Sequence, residues 1–241
     1  MVEELLATTS ERTGKPLSPT YVHHILTTLR MALSRAVKRR ELPDNAAADA
    51  TAPTVTVHRV EALTDEQAAA ILDATAQTWL GPFVAFLLGS GLRRGEALGL
   101  NQGDLHLDAG FVSLRVSKTT IRAVPISDDA VEAARLALAA APRRGAKEPV
   151  FFGPKTGERL AGATVTHALP RLLEDAGLPR MAPHGLRHGA ATLMLSGGAS
   201  LRAVQEQLGH TSPRMTSRYA HVIPEQQRAA VRLLNRPAKE M

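Results

Sequence analysis

The sequence contains no cysteine and little aromatic material: 3% of its 241 residues, with one tryptophan and two tyrosines. Without cysteine there is no disulfide and no thiolate metal site. With so few rings, the core has to be built from Ala, Leu and Val. Long apolar runs are missing too, none approaching the ~20 residues of a membrane-spanning helix. The start, Met1-Val-Glu-Glu-Leu-Leu, lacks the basic opening of a signal peptide. A soluble, cytoplasmic protein is the expectation. There is no internal repeat and no low-complexity tract.

What is present is alanine, leucine and positive charge. Hydrophobic residues make up 44% of the chain, enough for a substantial core. Alanine-rich runs favour helix, so a mostly α protein is expected. The formal net charge is +6, and it is concentrated: residues 180–241 carry nine Lys/Arg against three Asp/Glu. A basic C-terminal quarter suits a polyanion-binding face, although a solvated surface without a partner has the same composition.

The chain divides at a Thr- and Pro-containing stretch, residues 46–60, that favours an extended linker or strand. Before it, residues 1–15 are weakly patterned. Ser18 and Pro19 read as the cap and first turn of a helix with an apolar stripe of Ile25, Leu26, Leu29, Leu33 and Val37. Its other face carries Arg30, Arg35, Lys38, Arg39 and Arg40, either against DNA phosphates or in solvent. After the linker, Thr64-Asp-Glu-Gln67 is a capping box opening a helix to about Ala76. A second apolar helix spans Trp79 to Leu88. Gly89-Ser-Gly-Leu-Arg-Arg-Gly-Glu96 then makes a turn into a short helix, with Arg93 and Glu96 spaced as a helix-start ion pair. From Asp104 to Ser127 the apolar period becomes two. Val112, Leu114 and Val116 form one strand, residues 121–126 form another, and Lys118 lies at the turn between them. Further helices are expected at 128–140, 162–176, 184–196, 200–208, about 213–219 and 224–235.

One set of residues carries the chemistry. Leu208-Gly-His-Thr-Ser-Pro-Arg-Met-Thr-Ser-Arg-Tyr-Ala-His-Val222 offers Tyr219 beside Arg218, with His210 upstream, and Pro183-His-Gly-Leu-Arg-His188 precedes it. This set suits attack on a phosphodiester without a metal. Such a reaction needs an activated oxygen, cations for the non-bridging oxygens and a proton for the leaving oxygen. Tyr219 can be the nucleophile; its ordinary pKa of ~10 means that cations must help it ionise. Arg93 and Arg187 can clamp the phosphate through forked hydrogen bonds. His210 can hold a non-bridging oxygen, His184 can take or relay the tyrosine proton, and Lys118 can protonate the leaving oxygen.

These motifs, in this order, resemble the tyrosine site-specific recombinases, also called the phage integrase family. The resemblance runs through Gly91-Leu-Arg-Arg-Gly-Glu96, the hairpin Lys118 with Arg122-Ala-Val-Pro125, Pro183-His-Gly-Leu-Arg-His188, Leu208-Gly-His210 and Thr216-Ser-Arg-Tyr-Ala-His-Val222. It covers about residues 59–235. It implies Arg93, His184, Arg187 and His210 at the phosphate, Lys118 as acid and Tyr219 as nucleophile. It also implies a 3′-phosphotyrosyl DNA intermediate, a free 5′-hydroxyl, no cofactor, and a homo-tetramer on two double-stranded DNA sites. The implied fold is mostly α with a small antiparallel β-sheet (α+β). A catalytic domain, 59–241, follows a partial helical DNA-clamping domain, 1–58, which resembles an N-terminally truncated form of the family's core-binding domain. Weak, salt-sensitive DNA binding is expected of such a chain.

Two other readings use the same residues. In a metal hydrolase, His184 and His188 would ligate from one helix face, with His210 and His221 as further ligands. Arg187 between the first two, and the lack of a nearby Glu, argue against that. In a decayed, non-catalytic integrase remnant, the chain would only bind DNA.

Overall fold

The computed structural model describes residues 2–11, 13–55, 63–115 and 120–209. The chain separates into two compact units, Met1–Arg59 and Val60–Met241.

In the first unit, α1 (Val2–Ala7) forms where the sequence showed only weak patterning, with Glu3 and Glu4 in its first turn complementing the helix dipole. Helix α2 (Pro19–Lys38) starts as expected: the Ser18 hydroxyl accepts from the Tyr21 amide, and Pro19 fills the first turn. Of the five cations expected on one face, Arg30 has a different task. Its Nε donates to the Ala47 carbonyl at 2.9 Å and its Nη2 to that of Ala50. Asn45 returns a bond to the Arg30 carbonyl at 3.1 Å. Arg30 therefore fastens the chain after α2 to the helix, while Arg35, Lys38, Arg39 and Arg40 are exposed.

The second unit begins with α3 (Asp65–Ala76). Its capping box is complete: the Thr64 hydroxyl accepts from the Gln67 amide, and the Gln67 side chain accepts from the Thr64 amide. Next comes α4 (Gly81–Ser90), with Phe83, Val84, Phe86 and Leu87 fully buried. A helix apolar on nearly all sides belongs at the centre of a domain, and α4 packs against three helices, α3 and, further along the chain, α6 (Asp128–Ala139) and α8 (Pro183–Ser196). Three of the five phenylalanines gather there, the Phe151 ring lying 4.9 Å from Phe83 edge-on and 5.2 Å from Phe86. A short helix α5 (Arg94–Gly99) follows the turn after α4.

The sheet has three antiparallel strands in the order β1 (Leu105–His106), β2 (Phe111–Arg115) and β3 (Ile121–Pro125). Register pairs Val112 with Val124 and Leu114 with Arg122. Residues paired across a ladder share a face, so Val112, Leu114 and Val124 are buried. Arg122 joins them on the inner face, and Ile121 is left 62% exposed. Helices α7 (Gly162–Asp175), α8 and α9 (Leu201–Leu208) complete the described part. The expected mixture of helices with a small antiparallel sheet is therefore present. Lys118, the linker end 56–60, and the helices expected near 213–219 and 224–235 lie outside the described residues. Among the described residues no helix is long and apolar enough to cross a membrane.

Candidate active site

The site is organised by the carboxyl ends of two helices. Helix α4 ends at Gly91 with φ 64°, and α9 ends at Gly209 with φ 62°. Both are left-handed caps that glycine adopts without steric cost. A helix terminus of this kind exposes carbonyl oxygens that its own backbone cannot satisfy and carries partial negative charge. In this protein arginines satisfy them.

Arg187, on α8, joins the two ends. Its Nη1 donates to the Gly91 carbonyl at 2.7 Å and its Nη2 to the Leu208 carbonyl at 2.6 Å. Its side chain is only 4% exposed, and the Glu96 carboxylate stands 3.9 Å away. Burying a charge costs several kcal/mol unless partners surround it; two helix ends and a carboxylate are those partners.

Arg93 is the cap residue of α5. Glu96, in the first turn of that helix, accepts the Arg93 backbone N–H at 2.8 Å and Nη1 at 2.7 Å. The Arg93 Nη2 reaches the Gly209 carbonyl at 3.4 Å. The ion pair expected from spacing is therefore present, and its carboxylate also faces the second arginine. Arg93 and Arg187, 94 positions apart in sequence, converge on Glu96 and on consecutive carbonyls, those of Gly209 and Leu208.

His184 lies in the first turn of α8, exposed, one turn before Arg187. Its ring meets that of His188 at 4.3 Å, edge to face. Among the described residues no group of three His, Cys, Asp or Glu side chains is placed to share a metal ion. His210, the residue after Gly209, lies outside the described residues, as do Lys118 and Tyr219.

Two contributors were given no role from sequence, although Arg122 opens one of the motifs quoted above. Arg122 donates Nη1 to the carbonyls of Glu206 at 2.8 Å and Gln207 at 3.1 Å. Gln207 in turn sends its amide to the carbonyls of Pro125 at 2.8 Å and Ser90 at 2.9 Å. The available signal for Arg122 was a cation at the same alternation as Val124, on the face of the strand that turns inward. Together Arg122, Arg187 and Arg93 donate to four successive carbonyls, 206 to 209, at one helix end. That end is positive in its side chains and immediately precedes His210, an arrangement suited to an anionic ligand.

Comparison with known proteins gives the same region a family. The model of the phage integrase family matches residues 61–226. The tyrosine recombinase XerC of Rhodospirillum centenum is 40% identical over 170 residues, 68% of this chain and 49% of that protein. XerC of Corynebacterium efficiens is 32% identical over 193 residues, 78% of this chain and 62% of that protein. The chain thus spans about half to under two thirds of the length of these curated relatives. Among solved structures, the Tn1549 transposon integrase in complex with transposon right end DNA superposes with a TM-score of 0.78. The overlap is 97% of this chain and 84% of that one, at 19% identity, a likeness of fold. A lambda integrase dimer bound to a core site matches with a TM-score of 0.65 over 83% of this chain and 59% of that one, at 24% identity.

Proposed function

Since the chain belongs to the phage integrase family, we propose that it is a site-specific DNA recombinase that cuts and rejoins strands through a 3′-phosphotyrosyl intermediate. The observation that supports this most is the convergence of Arg93 and Arg187 on one helix end beside Glu96. Two guanidinium groups held at fixed positions stabilise the charge that builds on non-bridging oxygens during phosphoryl transfer.

In this reading the Tyr219 oxygen attacks phosphorus. The bond from phosphorus to the tyrosine oxygen forms, and the bond to the 5′ oxygen of the neighbouring nucleotide breaks. His184 receives or relays the tyrosine proton, His210 holds a non-bridging oxygen, and Lys118 gives a proton to the departing 5′ oxygen. The 5′-hydroxyl of a partner strand then attacks the phosphotyrosine, reversing each transfer and freeing Tyr219. The linkage energy is kept in the covalent intermediate, so no nucleotide cofactor enters the scheme. Double-stranded DNA is the proposed substrate, and a homo-tetramer on two paired sites is the proposed working form. The relatives named above are themselves recombinases, and the two solved structures hold DNA.

The test is covalent trapping. Nicked duplexes tiled across the DNA flanking the gene let the cleaved end diffuse away, so an adduct accumulates. The wild type gives a denaturant-resistant protein–DNA species, and Tyr219→Phe gives none. Adduct formation by Tyr219→Phe, or its absence from the wild type on every duplex, overturns the assignment.

A further inference from the structure

The amino end of α4 carries a feature that the proposed reaction does not use. The chain has one tryptophan, two tyrosines and five phenylalanines. The tryptophan and three of the phenylalanines, Trp79, Phe83, Phe151 and Phe152, line one open pocket of about 410 Å³, together with Pro82 and Leu160. Phe83 and Phe151 belong to the buried core, whereas Trp79 is 42% exposed. Folding accounts for the first two. An indole that lines an apolar pocket and still stands half in water adds little to folding. Concave apolar sites of this size, ~300–1,000 Å³, are where proteins take up a ligand group.

The pocket wall is held in place by the chain itself. The segment after Val150 turns back, with the Gly153 amide donating to the Glu158 carbonyl at 2.7 Å and the Leu160 amide to that of Phe151 at 2.9 Å. Arg143 ties the neighbouring loop to this turn. It donates Nη1 and Nη2 to the Glu158 carboxylate at 3.3 and 3.1 Å and Nε to Glu148 at 3.0 Å. Its guanidinium carbon lies 5.6 Å from the centre of the Phe152 ring. A site already formed loses little freedom when a ligand arrives.

Charge narrows the choice of ligand. The two bordering segments, 142–148 and 153–159, carry five Lys/Arg against two Asp/Glu. Arg143 engages both carboxylates. Arg144, Lys147 and Lys155 are exposed, and among the described residues none of the three is ion-paired. An aromatic pocket in a positive setting suits an acidic partner. A DNA duplex supplies the negative charge but no bulky apolar side chain to enter the pocket. The pocket and the candidate active site also lie at opposite ends of α4, which is ten residues and roughly 15 Å long. The chain's own residues 223–241 hold four Lys/Arg against two Asp/Glu, so the tail of a second copy is the poorer match.

We propose that this pocket is a docking site for a partner protein that inserts an aromatic side chain flanked by acidic residues. The proposal goes beyond the recombinase reading and does not depend on it.

Trp79 is the sole tryptophan, so the intrinsic emission of the full chain reports on this pocket alone. The probe is a short peptide with one phenylalanine between runs of glutamate. Adding it moves the Trp79 emission to shorter wavelength, as water leaves the indole, and the shift saturates. It persists when duplex DNA is present. Peptides with serine for the phenylalanine, or lysine for the glutamates, bind about tenfold more weakly or worse. A fluorescein-labelled copy, followed by anisotropy, measures the variants. Trp79→Ala weakens binding about tenfold or more, as loss of a central aromatic anchor does. Arg144→Glu combined with Lys155→Glu weakens it by about as much at low salt, and by less as salt screens the charges. These side chains are exposed, so thermal unfolding of the variants stays close to wild type.

The absence of a saturable shift overturns the proposal, as does equal binding of the lysine peptide or unchanged binding by either variant. Two other outcomes overturn it by naming a different occupant: an emission shift produced by duplex DNA alone, and self-association in sedimentation that Trp79→Ala abolishes. Covalent trapping on nicked DNA tests the recombinase reading separately, and each reading can fail while the other stands.

Discussion

Arg187 donates to the Leu208 carbonyl at 2.6 Å from a side chain that is almost entirely buried. A proposed phosphate ligand is thus also the tie between α8 and the end of α9, and through Gly91 the tie to α4. Substitutions here act on fold and chemistry together.

Arg187→Ala strands the Gly91 and Leu208 carbonyls, while Glu96 keeps its bonds to Arg93. Each unsatisfied buried group costs ~1–3 kcal/mol, so chemical denaturation is expected to show a loss of about 3 kcal/mol or more. Arg187→Lys keeps the charge but cannot reach both helix ends with one ammonium. Its expected loss is smaller, and the two values separate hydrogen-bond geometry from charge. Equal stability of all three proteins contradicts the bridging role.

Glu96→Gln keeps an acceptor for the Arg93 backbone N–H but removes the charge between two guanidinium groups. The Arg93–Glu96 pair is partly exposed, and losing it alone costs ~1 kcal/mol or less; the weaker compensation of the buried Arg187 charge, 3.9 Å from Glu96, adds to that loss. The main effect is on the aim of Arg93. Adduct formation is expected to slow about tenfold, equivalent to ~1.4 kcal/mol of transition-state stabilisation, while DNA affinity holds or rises with the added positive charge. Single-turnover trapping and a binding titration on the same duplex separate the two.

Gly209→Ala tests the helix cap. The position has φ 62°, and a Cβ there meets the Arg122 Nη1 at 2.7 Å. The left-handed conformation alone costs ~1–2 kcal/mol for a residue with a Cβ, and Arg122 must shift as well. A fall in unfolding free energy of about 2 kcal/mol is expected, together with slower cleavage. A variant as stable and as active as wild type contradicts the close packing of Arg122 on this cap.

Much of this arrangement is legible in the sequence where local chemistry decides. Ser18 and the Thr64–Gln67 pair announce their helices, because capping is a contact among residues three apart. The Val112 and Leu114 alternation announces a strand for the same reason. The pairing of Arg93 with Glu96 follows from helical spacing. What sequence spacing does not reveal is where a guanidinium ends up. Arg30 appears as one of five cations on a helix face, yet it binds the carbonyls of Ala47 and Ala50. Arg122 shares the alternation of Val124, which places it on the inner face, yet nothing in that pattern shows that it binds a helix end 84 residues away. Both outcomes depend on which unsatisfied carbonyls the fold brings near, and nothing within a few residues of either arginine encodes that. Arg187 belonged to a recognisable motif, but its burial under two helix ends is a property of the assembled domain.

The fourfold capture of α9 by Arg122, Arg187 and Arg93 bears on how such genes decay. A copy released from selection for strand exchange still needs its α9 terminus capped in order to fold and escape proteolysis. Arg187, buried and bridging two helix ends, is then under a folding constraint of its own. Its presence in a related gene reports on folding as well as on chemistry, whereas the partly exposed Arg93 is the better guide to whether strand cleavage is retained.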